Sequence, residues 1–361
     1  MPALPPPRVV RTVEGVRSGL QRLNRQMAPA PFALLELSLG SMITQAIYVA
    51  AELRVADALK DGPRTPQEIA REVDADPEAL YRLLRLLASY SVFAEQKDGR
   101  FKLTPMAQAL RADVPDSMRD IAVLMGHPIH WEDWSHLVDS VRTGEPSLPK
   151  LRGMTAFEFL EANPEYGGVF TAGMANMSQT ETLPVLAAYD FSRFATIVDF
   201  CGGNGGLLAG ILSKATASRG ILTDPRVATN GAQEFLEEAG VADRCSVVDV
   251  GLFDPVPPGA DAYVLKHIVH DWPEDKALEI LRNVREGIDP SGRILLIEMV
   301  PPPEGNSPHS AKLFDLMLML LVGGKERTPA QYGELLAAAG FKLERVVQTA
   351  APVSIVEARP V

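Results

Sequence analysis

From residue 197 onward the chain alternates short apolar runs with longer amphipathic stretches. The runs are IVDF (197–200), GILT (220–223), CSVVDV (245–250), AYVLKHI (262–268) and RILLIEMV (293–300). Neighbouring strands joined by crossovers long enough for a helix pair in parallel, and a parallel sheet must be covered on both faces. The pattern therefore predicts a doubly wound α/β fold. The last stretch, FKLERVVQTAAPVSIVEARPV, reads as two further strands joined near Ala351 and Pro352. That would bring the sheet to seven strands and place a reversed strand at an edge.

The amino-terminal half follows a different rhythm. Residues 33–59 are apolar over most of a helix surface, more than a lone surface helix needs to bury, which points to a subunit interface. TPQEIAREV and DPEALYRLLRLLASY read as two helices, opened by Thr65 with Glu68 and by Asp76 ahead of Glu78 and Ala79. FAEQKDGRFKLT reads as a hairpin turning at Asp98 and Gly99. Helix, helix, hairpin is a winged-helix pattern. Arg82 and Arg85 lie on its second helix, yet Glu68, Glu72, Asp74, Asp76 and Glu78 leave it no basic face for DNA. The expected division is a basic arm at 1–30, a winged-helix-like dimerisation domain at 31–112, a helical linker at 113–190 and a catalytic domain at 191–361. In the arm, Arg8, Arg11, Arg17, Arg22 and Arg25 accompany Val9, Val13, Val16, Leu20, Leu23 and Met27 at near-helical spacing.

With 361 residues, 46% of them hydrophobic, two substantial cores are possible. The net charge of −11 disfavours phosphate backbones and suits a small neutral or cationic ligand. Cys201 and Cys245 are the only cysteines, no secretory signal is evident, and no apolar run reads as a membrane span. A cytoplasmic protein binding neither nucleic acid nor membrane is expected.

The strand IVDF runs into CGGNGG, a loop stripped of side chains where a nucleotide-type ligand can lie against the backbone. A dinucleotide fingerprint fails because Cys201 stands where its first glycine belongs. Further on come LKHIVHDW, which puts an imidazole at the end of an apolar strand, then EMV and GGKERT. This ordered set closely resembles bacterial relatives of the plant caffeate/hydroxyindole-type O-methyltransferases, which use S-adenosylmethionine. The resemblance spans roughly residues 33–361 and implies their Rossmann-like methyltransferase sheet, with the winged-helix-type domain serving dimerisation and lining the substrate pocket.

On the cofactor side the resemblance implies Asp199 followed by glycines at the second, fourth and sixth positions, occupied here by Cys201, Gly203 and Gly205. Asp224, 25 residues after Asp199, becomes the ribose ligand; it could also cap a helix starting at Pro225. The adenine motif Gly-Asp-Met-Phe reads Val250, Gly251, Leu252, Phe253, so its acid is missing. Asp249 could replace it only through a bulge or register shift, because two residues along a strand move a side chain about 6.6 Å. Lys266 matches a position beside the cofactor.

On the reaction side, methyl transfer from a sulfonium is an in-line displacement that needs a deprotonated nucleophile. The resemblance makes His270 the general base, flanked by Glu298 and Glu326, with Asp271 following and Trp272 walling the site. For the acceptor, a hydroxylated aromatic or polyketide-like molecule, the candidate lining is His127, Trp131, Phe157, Phe170, Met174 and Met177. No metal is expected: His267 and His270 would face opposite ways on a strand, and neither H-E-x-x-H nor paired cysteines occur. Cys201 and Gly251 favour an alternative, a relative that keeps the fold but performs another reaction, such as hydroxylation or decarboxylation, or only binds a ligand. The complete set around His270 opposes it.

Overall fold

The computed structural model describes residues 5–225, 229, 231–302, 306 and 308–361. The chain forms two compact units, one of residues 20–136 and 154–178, the other of residues 1–19, 137–153 and 179–361.

The first unit contains the helix, helix, hairpin pattern. Thr65 forms a reciprocal capping box with Glu68 at the head of Pro66–Glu72, and Asp76 accepts from the amides of Glu78 and Ala79 at the head of Pro77–Ser89. The second helix buries Leu80, Leu84 and Leu87, one stripe at helical spacing, in a core shared with Ala51, Val55, Ile69, Phe93 and Phe101. The hairpin pairs β1 (Phe93–Glu95) with β2 (Phe101–Leu103), and Gly99 takes its turn at φ +78°. Arg85 lies over the Tyr81 ring, 5.7 Å from its centroid. One expectation needs correcting: the 23 residues from Ala30 to Glu52 are long and apolar enough to cross a membrane by length and composition. They form two helices, Ala30–Ser38 and Gly40–Glu52, that share Leu39 as a boundary. The basic arm is helical over Pro7–Met27, with no buried residue.

The second unit is built on a sheet of β3 (Thr196–Phe200), β4 (Arg219–Asp224), β5 (Cys245–Asp249), β6 (Ala262–Lys266), β7 (Arg293–Met299), β8 (Phe341–Gln348) and β9 (Val353–Pro360). Its order is β5-β4-β3-β6-β7-β9-β8. The first five are parallel, crossing over through helices such as Gly206–Lys214 and Glu274–Gly287. Strand order reverses beside β3, so β3, β4 and β6 end around the crevice where doubly wound folds bind ligands. The reversed strand is not the edge: β9 runs antiparallel between β7 and β8, because the tight return at Ala351 and Pro352 delivers it into the slot beside β7. Val198, Phe200, Tyr263, Leu265, Leu296 and Val356 form a core against helix residues Ile280, Leu281 and Leu336.

The reversed hairpin is tied by one buried acid. Glu357 on β9 is 1% exposed and accepts from Arg345 Nε at 2.7 Å, with Arg193 at 3.5 Å and Arg293 at 3.6 Å. Removing it takes the carboxylate from Arg345 and Arg193, while Arg293 keeps Glu344 at 3.0 Å. Glu357→Ala should lower the unfolding free energy by about 1–3 kcal/mol, read as an earlier urea midpoint at unchanged slope. An unmoved midpoint would mean that the strand ladder alone holds the hairpin.

Candidate active site

The loop after β3 explains its own sequence. Cys201, Gly203 and Gly205 all adopt left-handed backbone, with φ of +60°, +58° and +81°. A run of alternate left-handed residues is what glycine permits most cheaply, so Cys201 sits under strain. Its thiol also packs on the core of the second unit, and burial, reinforced by Asp224 and Asp199, holds its pKa far above the usual range. Gly202 is needed for a different reason: a Cβ there would lie 2.5 Å from the Asp199 carboxylate. That carboxylate is fully buried and its Oδ2 has no partner among the described residues.

Asp224 closes the other side of the loop, accepting from the Gly203 amide at 2.8 Å. Burial pushes Asp199 up to about 7, against the opposing pull of Lys266, and Asp224 up to about 6, against the Gly203 amide. Two desolvated acids with spare acceptor capacity match a ligand rich in donors and positive charge. Residues that would follow Asp224 in a capped helix include 226–228 and 230, outside the described residues. Asp249 is exposed and pairs in register with Asp224, and the β4–β5 ladder runs to its end without a bulge, so the shift that would carry Asp249 to the position of Gly251 is absent. Instead Asp254 reaches back: the Gly251 amide donates to its Oδ2 at 2.9 Å, and a Cβ on Gly251 would lie 2.9 Å from that oxygen. The loop regains a carboxylate there from three residues further on. Leu252 packs on the core, and Phe253, partly exposed, meets the Trp272 ring edge-on at 4.9 Å.

The base end lies past β6. His270 sits in a short 3-10 turn, Val269–Asp271, and is 6% exposed. Its Nδ1 is 3.0 Å from Glu326 Oε1 and 3.4 Å from Glu298 Oε2, and its Nε2 is 3.5 Å from Asp271. Burial by itself lowers an imidazole pKa, but Glu298, Asp271 and Glu326 outweigh it and push His270 up to about 10. Glu298 also accepts from the Val269 amide at 2.9 Å, fixing the turn to β7.

GGKERT laces that turn shut. Lys325 donates its amide to the His270 carbonyl at 2.9 Å, and the fully buried Arg327 donates to the carbonyls of Val269 at 3.0 Å and Trp272 at 3.2 Å. Gly324 allows the approach, since a Cβ on it would lie 2.0 Å from the His270 carbonyl oxygen. Asp315, on the helix Ser310–Leu321, accepts from the Glu326 amide at 2.8 Å and orients it.

His267 departs from expectation. It lies beyond the end of β6 with φ +55°, so it does not oppose His270 across a strand; the two ring centroids are 5.0 Å apart. Ligand atoms of His267, His270 and Glu298 fall within 4.8 Å of one another. His267 Nε2 and Lys266 Nζ both contact the buried Glu181 Oε2 at 2.9 Å, so Glu181 joins the site from the helix Pro164–Ala188. A lone acid in MANMSQTE carries no signal of this; only the fold brings it to Lys266. The contacts of Arg327, Asp315, Gly324 and Asp254 likewise carry no local sequence signal.

Among the acceptor candidates, Phe170, Met174 and Met177 share one helix at i, i+4 and i+7 spacing, all half-buried. Phe157 is exposed. His127 spends its Nδ1 accepting the Ile129 amide at 3.2 Å and packs on Tyr166, and Trp131 donates to the Met125 carbonyl at 3.1 Å. Trp272 is half-buried on the other unit.

Two family models match the chain, the O-methyltransferase dimerisation domain over residues 35–113 and the O-methyltransferase domain over residues 134–342. The chain is 40% identical to the phenazine O-methyltransferase PhzM of Lysobacter antibioticus, over 92% of this chain and 97% of that one. It is 34% identical to the 8-amino-8-demethylriboflavin N,N-dimethyltransferase of Streptomyces davaonensis, over 86% and 90% of the two chains. Human N-acetylserotonin methyltransferase, solved with S-adenosylmethionine, superposes with a TM-score of 0.85 at 26% identity, over 92% of this chain and 98% of that one.

Two substitutions test the backbone reading. Cys201→Gly relieves the left-handed strain and should stabilise the protein by about 1 kcal/mol, read as a raised thermal midpoint; an unchanged or lower midpoint would show that the lost thiol packing matters more. Gly324→Ala should abolish the His270 turn and cost about 3 kcal/mol or more, as overpacking against backbone does.

Proposed function

Since the chain belongs to the O-methyltransferase family and is an S-adenosylmethionine-dependent methyltransferase of the small-molecule type, we propose that it methylates a hydroxyl of an aromatic or polyketide-like acceptor with His270 as general base. The observation that carries the reading is the buried His270 held between Glu326, Glu298 and Asp271 at the same carboxyl end of the sheet as the Asp199 and Asp224 carboxylates. The unfilled Asp199 oxygen and the open space at Gly203, where a Cβ would meet nothing within 4 Å, fit the methionine and ribose end of the cofactor; Asp224 would hold the ribose hydroxyls and Lys266 would lie beside the cofactor. Asp254 and Asp249 are the acids available to the adenine, flanked by Gly251, Leu252 and Phe253. When bound, S-adenosylmethionine supplies a methyl group on a cationic sulfur, poised for displacement.

The residues around His270 address the proton. A phenol has a pKa near 10. An imidazole raised to about 10 shares the phenolic proton almost evenly, so neither the neutral pair nor the ion pair is costly. Glu326 holds Nδ1 and leaves Nε2 to the acceptor, and Glu298 and Asp271 stabilise the imidazolium. Trp272, two residues past His270, is the candidate for walling a flat ring, and Phe170, Met174 and Met177 on their one helix are separate candidate acceptor contacts, with His127, Trp131 and Phe157 the weaker ones. The active form is a homodimer assembled through residues 35–113.

The test is a pH series. In free protein His270 carries a proton at neutrality, so kcat/KM for a phenolic acceptor should climb through pH 7 toward pH 10; Glu326→Gln should move that limb down, and His270→Gln should cost at least 10²-fold. A plateau beginning near pH 6.5 would overturn His270 as the raised base. Calorimetry with S-adenosylhomocysteine should show affinity falling as pH drops through 7 and 6, where Asp199 and Asp224 take up protons and stop accepting from the ligand. Asp224→Asn should weaken it roughly 10- to 100-fold, the worth of one hydrogen bond to a charged acceptor. Affinity that is flat with pH would remove both acids from the cofactor site.

A further inference from the structure

We propose that Glu181 is a positioning residue that ties the cofactor end of the site to the base, its one carboxylate oxygen holding both the Lys266 ammonium beside Asp199 and the His267 ring against His270. This rests on the reading of the two ends given above. Glu181 Oε2 takes Lys266 Nζ and His267 Nε2 at 2.9 Å each, and the Glu181 side chain is 2% exposed. Lys266 stands two residues past Val264, which pairs with Asp199 across β6 and β3, and its charge favours ionised Asp199. On the other side the His267 and His270 rings lie 5.0 Å apart at 32°.

Stability alone does not account for such an arrangement. A buried ion pair stabilises little more than apolar side chains of the same volume would. A non-glycine residue at φ +55°, as at His267, adds about 1–3 kcal/mol of strain. The His267 amide is fixed to the Ile297 carbonyl at 3.1 Å, so the backbone is held at one end and the ring at the other. What this arrangement delivers is placement: one acid sets the position of a cation at the cofactor end and of an aromatic ring at the base.

The groups facing His270 are Asp271 on its own turn, Glu298 from β7, Glu326 from the segment after Ser310–Leu321, and His267; Arg327 anchors the carbonyls on either side. Glu181 keeps Lys266 neutralised next to this group. Neutralising Glu181 removes a buried negative charge and the anchor of the His267 ring that lies 5.0 Å from the His270 ring, which disfavours the imidazolium, so the His270 titration moves down.

The experiment compares wild type, Glu181→Gln and His267→Gln by NMR of carbon-labelled imidazoles, six in all, assigned with His270→Gln. Calorimetry with S-adenosylhomocysteine and thermal unfolding run alongside. Glu181→Gln should lower the His270 midpoint by at least half a pH unit and weaken S-adenosylhomocysteine at least fivefold while unfolding stays cooperative. His267→Gln keeps the Glu181–Lys266 contact, so it should displace the His270 resonance and leave affinity within twofold. An unmoved His270 midpoint in Glu181→Gln overturns the link to the base, and unchanged affinity overturns the link to the cofactor. Should Glu181→Gln fail to fold, His267→Gln decides: equal loss at both ends reduces the cluster to packing. Wild type that does not bind S-adenosylhomocysteine would sink the cofactor reading instead, and the midpoints would still judge Glu181.

Discussion

The contact between His270 and Glu326 at 3.0 Å organises everything around it, because a buried imidazole this rich in carboxylate neighbours is tolerable only when each neighbour is fixed. The chain spends an unusual amount of local structure on that requirement. Asp315 orients Glu326 from behind, Glu298 is pinned by the Val269 amide, and Arg327 and Lys325 hold the carbonyls of the turn itself. Gly324 is the steric condition for all of it, since only a residue without Cβ lets the segment close on the His270 carbonyl. A site assembled from the turn after β6, the end of β7 and a distant loop is thereby tied together by hydrogen bonds.

The two ends of the site are electrostatic opposites of a kind. At the base end, three carboxylates share one imidazole that can carry the answering positive charge, while Glu298 Oε2 and Glu326 Oε2 make no hydrogen bond among the described residues. At the cofactor end, Asp199 and Asp224 are desolvated with little to satisfy them, and burial raises both. A donor-rich, cationic ligand relieves that end without disturbing the other. S-adenosylmethionine is such a ligand, and the overall negative charge of the chain favours its approach.

Much of this was legible in the sequence because it is local. Strand periodicity, the capping residues Thr65 and Asp76, and the order of motifs from IVDF to GGKERT are each written in a few consecutive residues. The strain at Cys201 was legible too, as a glycine position filled by a residue with a Cβ. What escaped is non-local or conformational. Glu181 meets Lys266 across 85 positions of chain, and Asp254 accepts from the Gly251 amide only because a loop turns back on itself. The His267 and His270 rings came together because the chain leaves strand geometry at Lys266, two residues before the apolar run ends, and β9 took an inner place because pairing order is not encoded in strand pattern. The 30–52 segment reads long enough for a membrane because an interface helix and a spanning helix share one composition; residues 35–113 matching a dimerisation domain supply the more economical account.

Relatives of this chain bear names for both O- and N-methylation, so the family alone leaves the acceptor atom open. The chemistry around His270 bears on that choice. An aromatic amine attacks through a lone pair it already has and sheds its proton afterwards, so a strong base contributes little to the displacement. A phenol attacks well only as its proton leaves, and the gain from a base is greatest when the two pKa values match. Three carboxylates around one imidazole raise it toward the phenolic range while adding a desolvation cost. On the reading proposed, that cost is offset with a hydroxyl acceptor and hardly with an amine, and this is the argument for proposing oxygen as the methylated atom.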